Sequence, residues 1–225
     1  MKLIRKALPP SKGLLGFVGG PLTLFVYAAE GTHKGELPVA RQGLRNGLFA
    51  GFSEKLRELL AENMALQFRG GSDCIAILDT CAGEVDVATY REVIVPELSR
   101  VLAAFRKRCP DAPVIYYSKG TNSDYWDCLS DLPIQGIGID WHSSLPDTLK
   151  RYSGKWAVQG NVDPNWMLEP WANIEPRIRS ILESVRALPA ENRKGWVCGL
   201  GHGILPKTPE ENVRNFIRMQ REIFS

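Results

Sequence analysis

The chain has 225 residues, a length that fits one domain and exceeds that of a disulfide-stapled mini-protein. Hydrophobic residues make up 44% and charged residues 24%, which excludes an intrinsically disordered chain. The net charge of +3 permits an anionic ligand but does not indicate nucleic acid binding. The apolar stretches fall far short of the ~20 residues of a membrane span, and the N-terminus has no run typical of a secretory signal. We therefore expect a cytoplasmic protein without membrane contact.

Five cysteines, an odd number, form no C-x-x-C pair. This usage favours buried thiols in a reducing compartment over a disulfide framework or a zinc site.

Six short runs are apolar on successive residues, which is typical of parallel strands covered on both faces. They are LLGFVGG (14–20), CIAILDT (74–80), APVIYYSKG (112–120), IQGIGIDW (134–141), KWAVQGNVDP (155–164) and GWVCGLGHG (195–203). We therefore predict six parallel strands.

Amphipathic stretches between and after these runs predict helices, with the clearest over 52–70, 87–109, 173–188 and 209–224. Ser53 lies near the predicted start of the first helix, and Pro96 is expected to kink or divide the second. Thr208 and Pro209 are expected as the N-cap and first residue of the last helix. The βα alternation without a linker predicts a parallel α/β fold with residues 1–225 in a single domain.

Polar residues follow the C-terminal ends of the predicted strands, at the edge where α/β barrels and open α/β sheets carry their sites. The glycines of GFVGGPLTL have neither of the spacings that bind nucleotide phosphates after a first strand. A barrel is therefore favoured over a doubly wound sheet, although only six of the eight strands of a barrel are predicted.

The strand-end segments together resemble the uroporphyrinogen decarboxylase family. The resemblance lies in GFVGGPLTLFVYAAEG (16–31), LDTCAG (78–83), YYSKG (116–120), GIDW (138–141), QGNVDP (159–164) and GLGHGILPKTPEENV (199–213), in the order of the family. It implies a (β/α)8 TIM barrel, usually a homodimer, that removes acetate carboxylates from a tetrapyrrole without a cofactor or metal. It also implies that the first two strand–helix units, with two arginines and an aspartate, are absent, so that MKLIRKALPPSKG (1–13) would be the end of a helix. RQGLR (41–45) is rejected as the arginine motif because it follows the first predicted strand.

The resemblance implies roles for particular side chains. His202 in Gly-His-Gly and Tyr27 would be catalytic and would bind substrate together with Thr80. From their positions at strand ends, Asp79, Lys119, Asp140 and Gln159 are candidate supporting residues. Each has an ordinary structural interpretation: a histidine bonded to a loop, a core tyrosine, a strand-end threonine, or residues that tie loops together. Lys119 could attract carboxylates or pair with Asp140.

Two other functions stay open. The chain could be a porphyrinogen-binding relative without catalysis, since the arginines and aspartate are not in it. It could, with less support, be similar to cobamide-dependent methyltransferases, which bind zinc through histidine and cysteine; Cys81 and Cys198 lack a suitably spaced partner. His33 and His142 have no second histidine at metal-ligand spacing, and most tryptophans are expected in packing rather than in stacking on a ligand. For the chain by itself, the missing groups predict little or no decarboxylase activity.

Overall fold

Parallel strands alternate with helices along the chain, in a computed structural model that describes residues 1–33 and 35–225. The contacts between residues divide the chain into two units, Met1–Gln135 and Gly136–Ser225. Each unit contributes three strands, so all six predicted strands are confirmed.

The first unit contains the strands β1 (Leu15–Gly19), β2 (Cys74–Asp79) and β3 (Val114–Ser118). They pair in parallel and in chain order, with Leu15 opposite Cys74 and Ile75 opposite Val114. The helices are α1 (Lys2–Ala7), α2 (Pro21–Glu30), α3 (Pro38–Arg45), α4 (Leu48–Arg69), α5 (Val87–Thr89), α6 (Val95–Arg108) and α7 (Ser123–Asp127). The segment 41–45, rejected above as an arginine motif, lies within α3.

The second unit contains the parallel strands β4 (Gly136–Gly138), β5 (Ala157–Val162) and β6 (Trp196–Leu200). Its helices are α8 (Leu145–Tyr152), α9 (Trp171–Arg186), α10 (Ala190–Arg193) and α11 (Glu210–Phe224). The buried side chains of β5, α9, α11 and the short helical turn Trp166–Leu168 form one apolar core: Val162, Met167, Ile174, Ile178, Leu182, Phe216 and Met219. Three of the six tryptophans, Trp166, Trp171 and Trp196, pack against this core, and Trp126 and Trp156 are buried, as expected of packing residues.

Two helix starts differ from the sequence predictions, and one predicted interruption is confirmed. The helix that contains Ser53 begins at Leu48, because Gly47 adopts a left-handed conformation with φ 86° that separates α4 from α3. Pro96 divides its helix as predicted: a π-helical turn over Tyr90–Ile94 precedes α6, since proline cannot donate the usual backbone hydrogen bond. The last helix begins at Glu210, so Pro209 is its N-cap residue and the assignment of the cap to Thr208 is wrong by one position.

The thiols are free, but the prediction that all are buried holds only for Cys81 and Cys109. Cys74, Cys128 and Cys198 are half-buried. None of the helices in residues 1–33 and 35–225 is long and apolar enough to cross a membrane.

A side chain covers part of the outer edge of β1. Within the first unit β1 has β2 as its only neighbouring strand, and alternate residues point their backbone groups away from β2. Phe17 is one of these, and its backbone N–H donates to Gln67 Oε1 at 2.9 Å. Gln67 Nε2 donates in turn to the Phe17 carbonyl at 2.8 Å. The amide of Gln67, from α4, thus makes the two hydrogen bonds that a neighbouring strand would make.

Candidate active site at the strand ends

The last residue of β2 holds the first turn of α2. Asp79 is fully buried, and its Oδ1 accepts hydrogen bonds from the Thr23 backbone N–H at 2.9 Å and from Thr23 Oγ1 at 2.6 Å. The N-cap residue of α2 is Gly20, which has no side chain to satisfy the free N–H groups of the first turn. A carboxylate from another strand therefore takes the place of a capping side chain, where the helix dipole favours negative charge.

A tyrosine completes the hydrogen bonding of this carboxylate. Tyr116 on β3 is also buried, and its hydroxyl donates to Asp79 Oδ2 at 3.0 Å. Burial raises the pKa of Asp79, and the hydrogen bonds from Thr23 and Tyr116 oppose that shift. Burial likewise raises the pKa of Tyr116, and the nearby Asp79 carboxylate adds to the shift. The Asp79 carboxylate thus accepts hydrogen bonds from Thr23 and Tyr116 and is fully covered by the protein.

The Asp79–Thr23 contact also positions two predicted site residues. Tyr27 lies four residues after Thr23, on the same face of α2. Its side chain is 44% exposed, and its hydroxyl lies 2.5 Å from His33 Nδ1. Thr23 Oγ1 accepts a hydrogen bond from the Cys81 backbone N–H at 3.0 Å, which fixes the segment that carries the half-buried Thr80. Helix α2 and the end of β2 are thus tied together at one residue.

In the second unit a buried carboxylate again lies just beyond a strand. Asp140, two residues after β4, is 1% exposed. Its Oδ1 accepts from the His142 backbone N–H at 3.0 Å and lies 3.2 Å from His142 Nδ1, whose side chain is 63% exposed. Asn161 Nδ2 donates to the carbonyls of Asp140 and Ser143 at 2.9 and 2.7 Å, so β5 holds the loop after β4 from within.

The segment that carries His202 packs closely on this loop. Gly201 N–H donates to the Val162 carbonyl at 2.7 Å. A Cβ atom at Gly201 would lie 2.8 Å from the Trp141 nitrogen and 3.0 Å from the Asp140 Cα, so only glycine fits. His202 itself is exposed. The contact places the chain just before His202 against the chain just before His142.

The other predicted residues lie at strand ends as expected. Lys119 directly follows β3, is half-buried, and its carbonyl accepts from the Gly83 N–H at 3.0 Å. Gln159 lies within β5, half-buried, and its carbonyl accepts from the Ile139 N–H at 2.9 Å. The first unit thus carries Tyr27, Asp79, Thr80 and Lys119, and the second carries Asp140, Gln159 and His202. Their binding and catalytic roles stay predictions.

Sequence reasoning missed the pairings of His33 with Tyr27 and of His142 with Asp140. For His142 there was a signal, the Asp-x-His spacing, since an aspartate side chain commonly accepts from the N–H two residues on. For His33 there was none, because its approach to Tyr27 depends on the path of the chain after α2. In the described residues no three His, Cys, Asp or Glu side chains form a group that could hold a metal ion.

Comparison with known proteins agrees with the resemblance in the strand-end segments. The family model described as Uroporphyrinogen decarboxylase (URO-D) matches residues 1–223. The chain belongs to the uroporphyrinogen decarboxylase family. Curated relatives with this name include that of Roseiflexus sp. (strain RS-1), 30% identical over 227 residues, and that of Geobacillus kaustophilus, 34% identical over 214 residues. "Uroporphyrinogen decarboxylase 1, chloroplastic" of Oryza sativa subsp. japonica is 28% identical over 225 residues.

These matches cover most of this chain and a smaller share of each relative. They include 99%, 94% and 99% of this chain for Roseiflexus, Geobacillus and Oryza, and 64%, 59% and 54% of the relatives. Among solved structures, a methyltransferase from Methanosarcina mazei matches with a TM-score of 0.72 at 18% identity, over 100% of this chain and 63% of that one. That likeness concerns the fold alone. The fold class is the (β/α) barrel type of the decarboxylase family, with six strand–helix units in this chain.

Proposed function

We propose that the chain is the part of a uroporphyrinogen decarboxylase that carries Tyr27, Thr80 and His202, a carboxy-lyase of haem and tetrapyrrole biosynthesis. The reaction removes the four acetate carboxylates of uroporphyrinogen III and gives coproporphyrinogen III. The observation that carries the proposal is the family match over residues 1–223, within which these three residues stand at strand-end segments. Tyr27 and His202 are exposed and Thr80 is half-buried.

The chemistry needs polar donors rather than a cofactor. Protonation of a pyrrole carbon makes a cationic ring, which accepts the electron pair of the breaking carbon–carbon bond as carbon dioxide leaves. A second proton then adds to the side-chain carbon in place of the carboxylate, and the ring carbon releases the first proton, which restores the pyrrole. Thr80 and Tyr27 hydroxyls and the His202 imidazole can each donate to a carboxylate, and histidine can pass a proton near neutral pH. Such fixed donors stabilise charge where it develops.

The other predicted site residues position the segments that carry these donors or support the neighbouring loops. Asp79 holds Thr23 and with it Tyr27 and the segment of Thr80. The proposal assigns Lys119, Asp140 and Gln159 to loop support, with Lys119 also available to attract carboxylates. It further includes a homodimer in the cytoplasm, a small tetrapyrrole as the substrate, and no nucleic acid partner.

The test compares binding with turnover. Residues 1–225 are assayed for coproporphyrinogen formation from uroporphyrinogen, alone and mixed with the first two strand–helix units of a decarboxylase relative. Coproporphyrin III binding is followed by fluorescence, and mass by light scattering. We expect binding by both preparations and turnover only in the mixture.

Three outcomes bear on the proposal. Binding without turnover in either preparation favours a porphyrinogen-binding relative. Normal turnover by residues 1–225 alone would show that the added units are dispensable. Neither binding nor turnover would refute the proposal, and His202→Asn in the active preparation tests its site directly.

A further inference from the structure

His142 is an imidazole outside the set of proposed site residues. It follows Asp140 and Trp141 just beyond the C-terminal end of β4. Its side chain is 63% exposed, whereas the Asp140 carboxylate that it contacts is 1% exposed. The buried carboxylate can orient the imidazole through one ring nitrogen, and the other side of the ring is accessible to a ligand.

Contacts of Asp140 and Asn161 hold this ring and its loop. Asp140 Oδ1 accepts the His142 backbone N–H at 3.0 Å, which turns the chain back over the carboxylate. The same oxygen lies 3.2 Å from Nδ1, the distance of an ion pair when the ring carries its second proton. Asn161 holds the loop from below through the Asp140 and Ser143 carbonyls. With Nδ1 turned to Asp140, Nε2 is the nitrogen left to meet a ligand.

The position of His202 connects this ring to the proposed site. Because a Cβ at Gly201 would lie 2.8 Å from the Trp141 nitrogen, the two chain segments touch one residue before each histidine. Two imidazoles on adjoining segments can reach two carboxylates of one ligand. Asp140 cannot compete for such a ligand, since it is buried and already paired with His142.

We propose that His142 is a second carboxylate-binding residue, which donates Nε2–H to one carboxylate of a porphyrinogen while His202 contacts another. This inference rests on the proposed function. Asp140 is its positioning residue: it accepts the backbone N–H, lies against Nδ1 of the ring, and does not touch the ligand. The ligand class is a polycarboxylate tetrapyrrole, because two donors on adjoining segments suit several carboxylates on one rigid ring.

The chain has only three histidines, which makes the test direct. Residues 1–225 are labelled with ¹⁵N-histidine, the signals are assigned with His33→Gln, His142→Gln and His202→Gln, and coproporphyrin III is titrated in. We expect the Nε2 signals of His142 and His202 to shift together and to saturate at one porphyrin concentration. His142→Gln should weaken binding about tenfold, as loss of one charge-assisted hydrogen bond predicts. Arg218→Gln, an exposed change on α11, should leave binding unchanged.

Two other outcomes would overturn the inference, and they distinguish its failure from failure of the proposed function. If His202 shifts and His142 does not, His142 is no ligand-binding residue, and the proposed function stands. If neither signal shifts, both the inference and the proposed function fall. Asp140→Asn should shift the Nδ1 signal of His142 and weaken binding less than His142→Gln does. A change at the buried Asp140 could unfold the protein, whereas His142→Gln alters only an exposed ring. The binding measured for His142→Gln therefore decides whether the inference holds.

Discussion

Replacing Asp79 should cost much more stability than a single surface change, and the structure gives the size of the loss. The carboxylate accepts three hydrogen bonds, two from Thr23 and one from the Tyr116 hydroxyl. A buried hydrogen bond contributes about 1 kcal/mol net, so Asp79→Ala should lower the free energy of unfolding by about 3 kcal/mol. Tyr116→Phe removes one of the three and should cost about 1 kcal/mol.

Urea denaturation followed by circular dichroism measures these differences. Thr23→Val and Thr23→Ser form a matched pair. Valine keeps the shape but loses the hydroxyl that donates to Asp79 and accepts from Cys81 N–H, whereas serine keeps both hydrogen bonds. The valine variant should be the less stable by about 2 kcal/mol. If the free energy of unfolding of Asp79→Ala lies within about 0.5 kcal/mol of that of the unaltered chain, a difference typical of surface substitutions, the carboxylate does not hold α2.

The same carboxylate predicts a pH dependence. Burial raises its folded-state pKa above the ordinary value of 3.8, so the unfolded chain releases this proton at a lower pH than the folded chain. The contribution of Asp79 to stability is therefore greatest below pH 3.8 and falls as the pH rises through that value toward the folded-state pKa. Asp79→Asn cannot titrate, and its stability relative to the unaltered chain should rise with pH over this window. A constant difference between the two proteins would contradict the burial argument.

Three further changes test other parts of the structure. Gln67→Ala should expose the Phe17 backbone groups on the edge of β1 and increase self-association in light scattering, whereas Gln67→Glu, which keeps the acceptor for Phe17 N–H, should increase it less. Asn161→Ala removes two buried hydrogen bonds and should lower the free energy of unfolding by about 2 kcal/mol in urea; an unchanged midpoint would show that the loop after β4 needs no such support. His202→Asn should lower turnover at least about tenfold in the active preparation without altering circular dichroism, and unchanged kinetics would exclude it from the site.

The strands could be predicted from the sequence because their apolar residues are consecutive and β-branched, a pattern set locally. Pro96 was equally readable, since a proline inside a helix removes one backbone hydrogen bond. The start of α4 was not, because the left-handed conformation of Gly47 depends on how α3 ends. Helix-forming residues on either side of a glycine do not reveal whether the chain bends there.

The proposed site residues likewise divide into features that the local sequence reveals and contacts that it does not. His202, Tyr27 and Thr80 were found through segments that resemble a family, and each lies at the end of its strand or on the helix that follows it. The contacts that hold their segments within each unit could not be found in this way. The contact of Asp79 with Thr23 joins residues 56 positions apart, and that of Gly201 with Trp141 depends on a register between strands. Spacing along the chain carries no record of either contact.

The two buried aspartates suggest why acidic residues are compatible with a proposed polyanionic ligand. A carboxylate that faced such a ligand would repel it, so an aspartate at a strand end is tolerated where it is covered and hydrogen-bonded. Asp79 and Asp140 are 0% and 1% exposed. Each accepts a backbone N–H from the segment that carries an exposed donor, Thr23 in the case of Tyr27 and His142 itself in the second unit. The two aspartates are thus buried and position exposed neighbours. Those neighbours, Tyr27 and His142, are able to donate a hydrogen bond to a carboxylate.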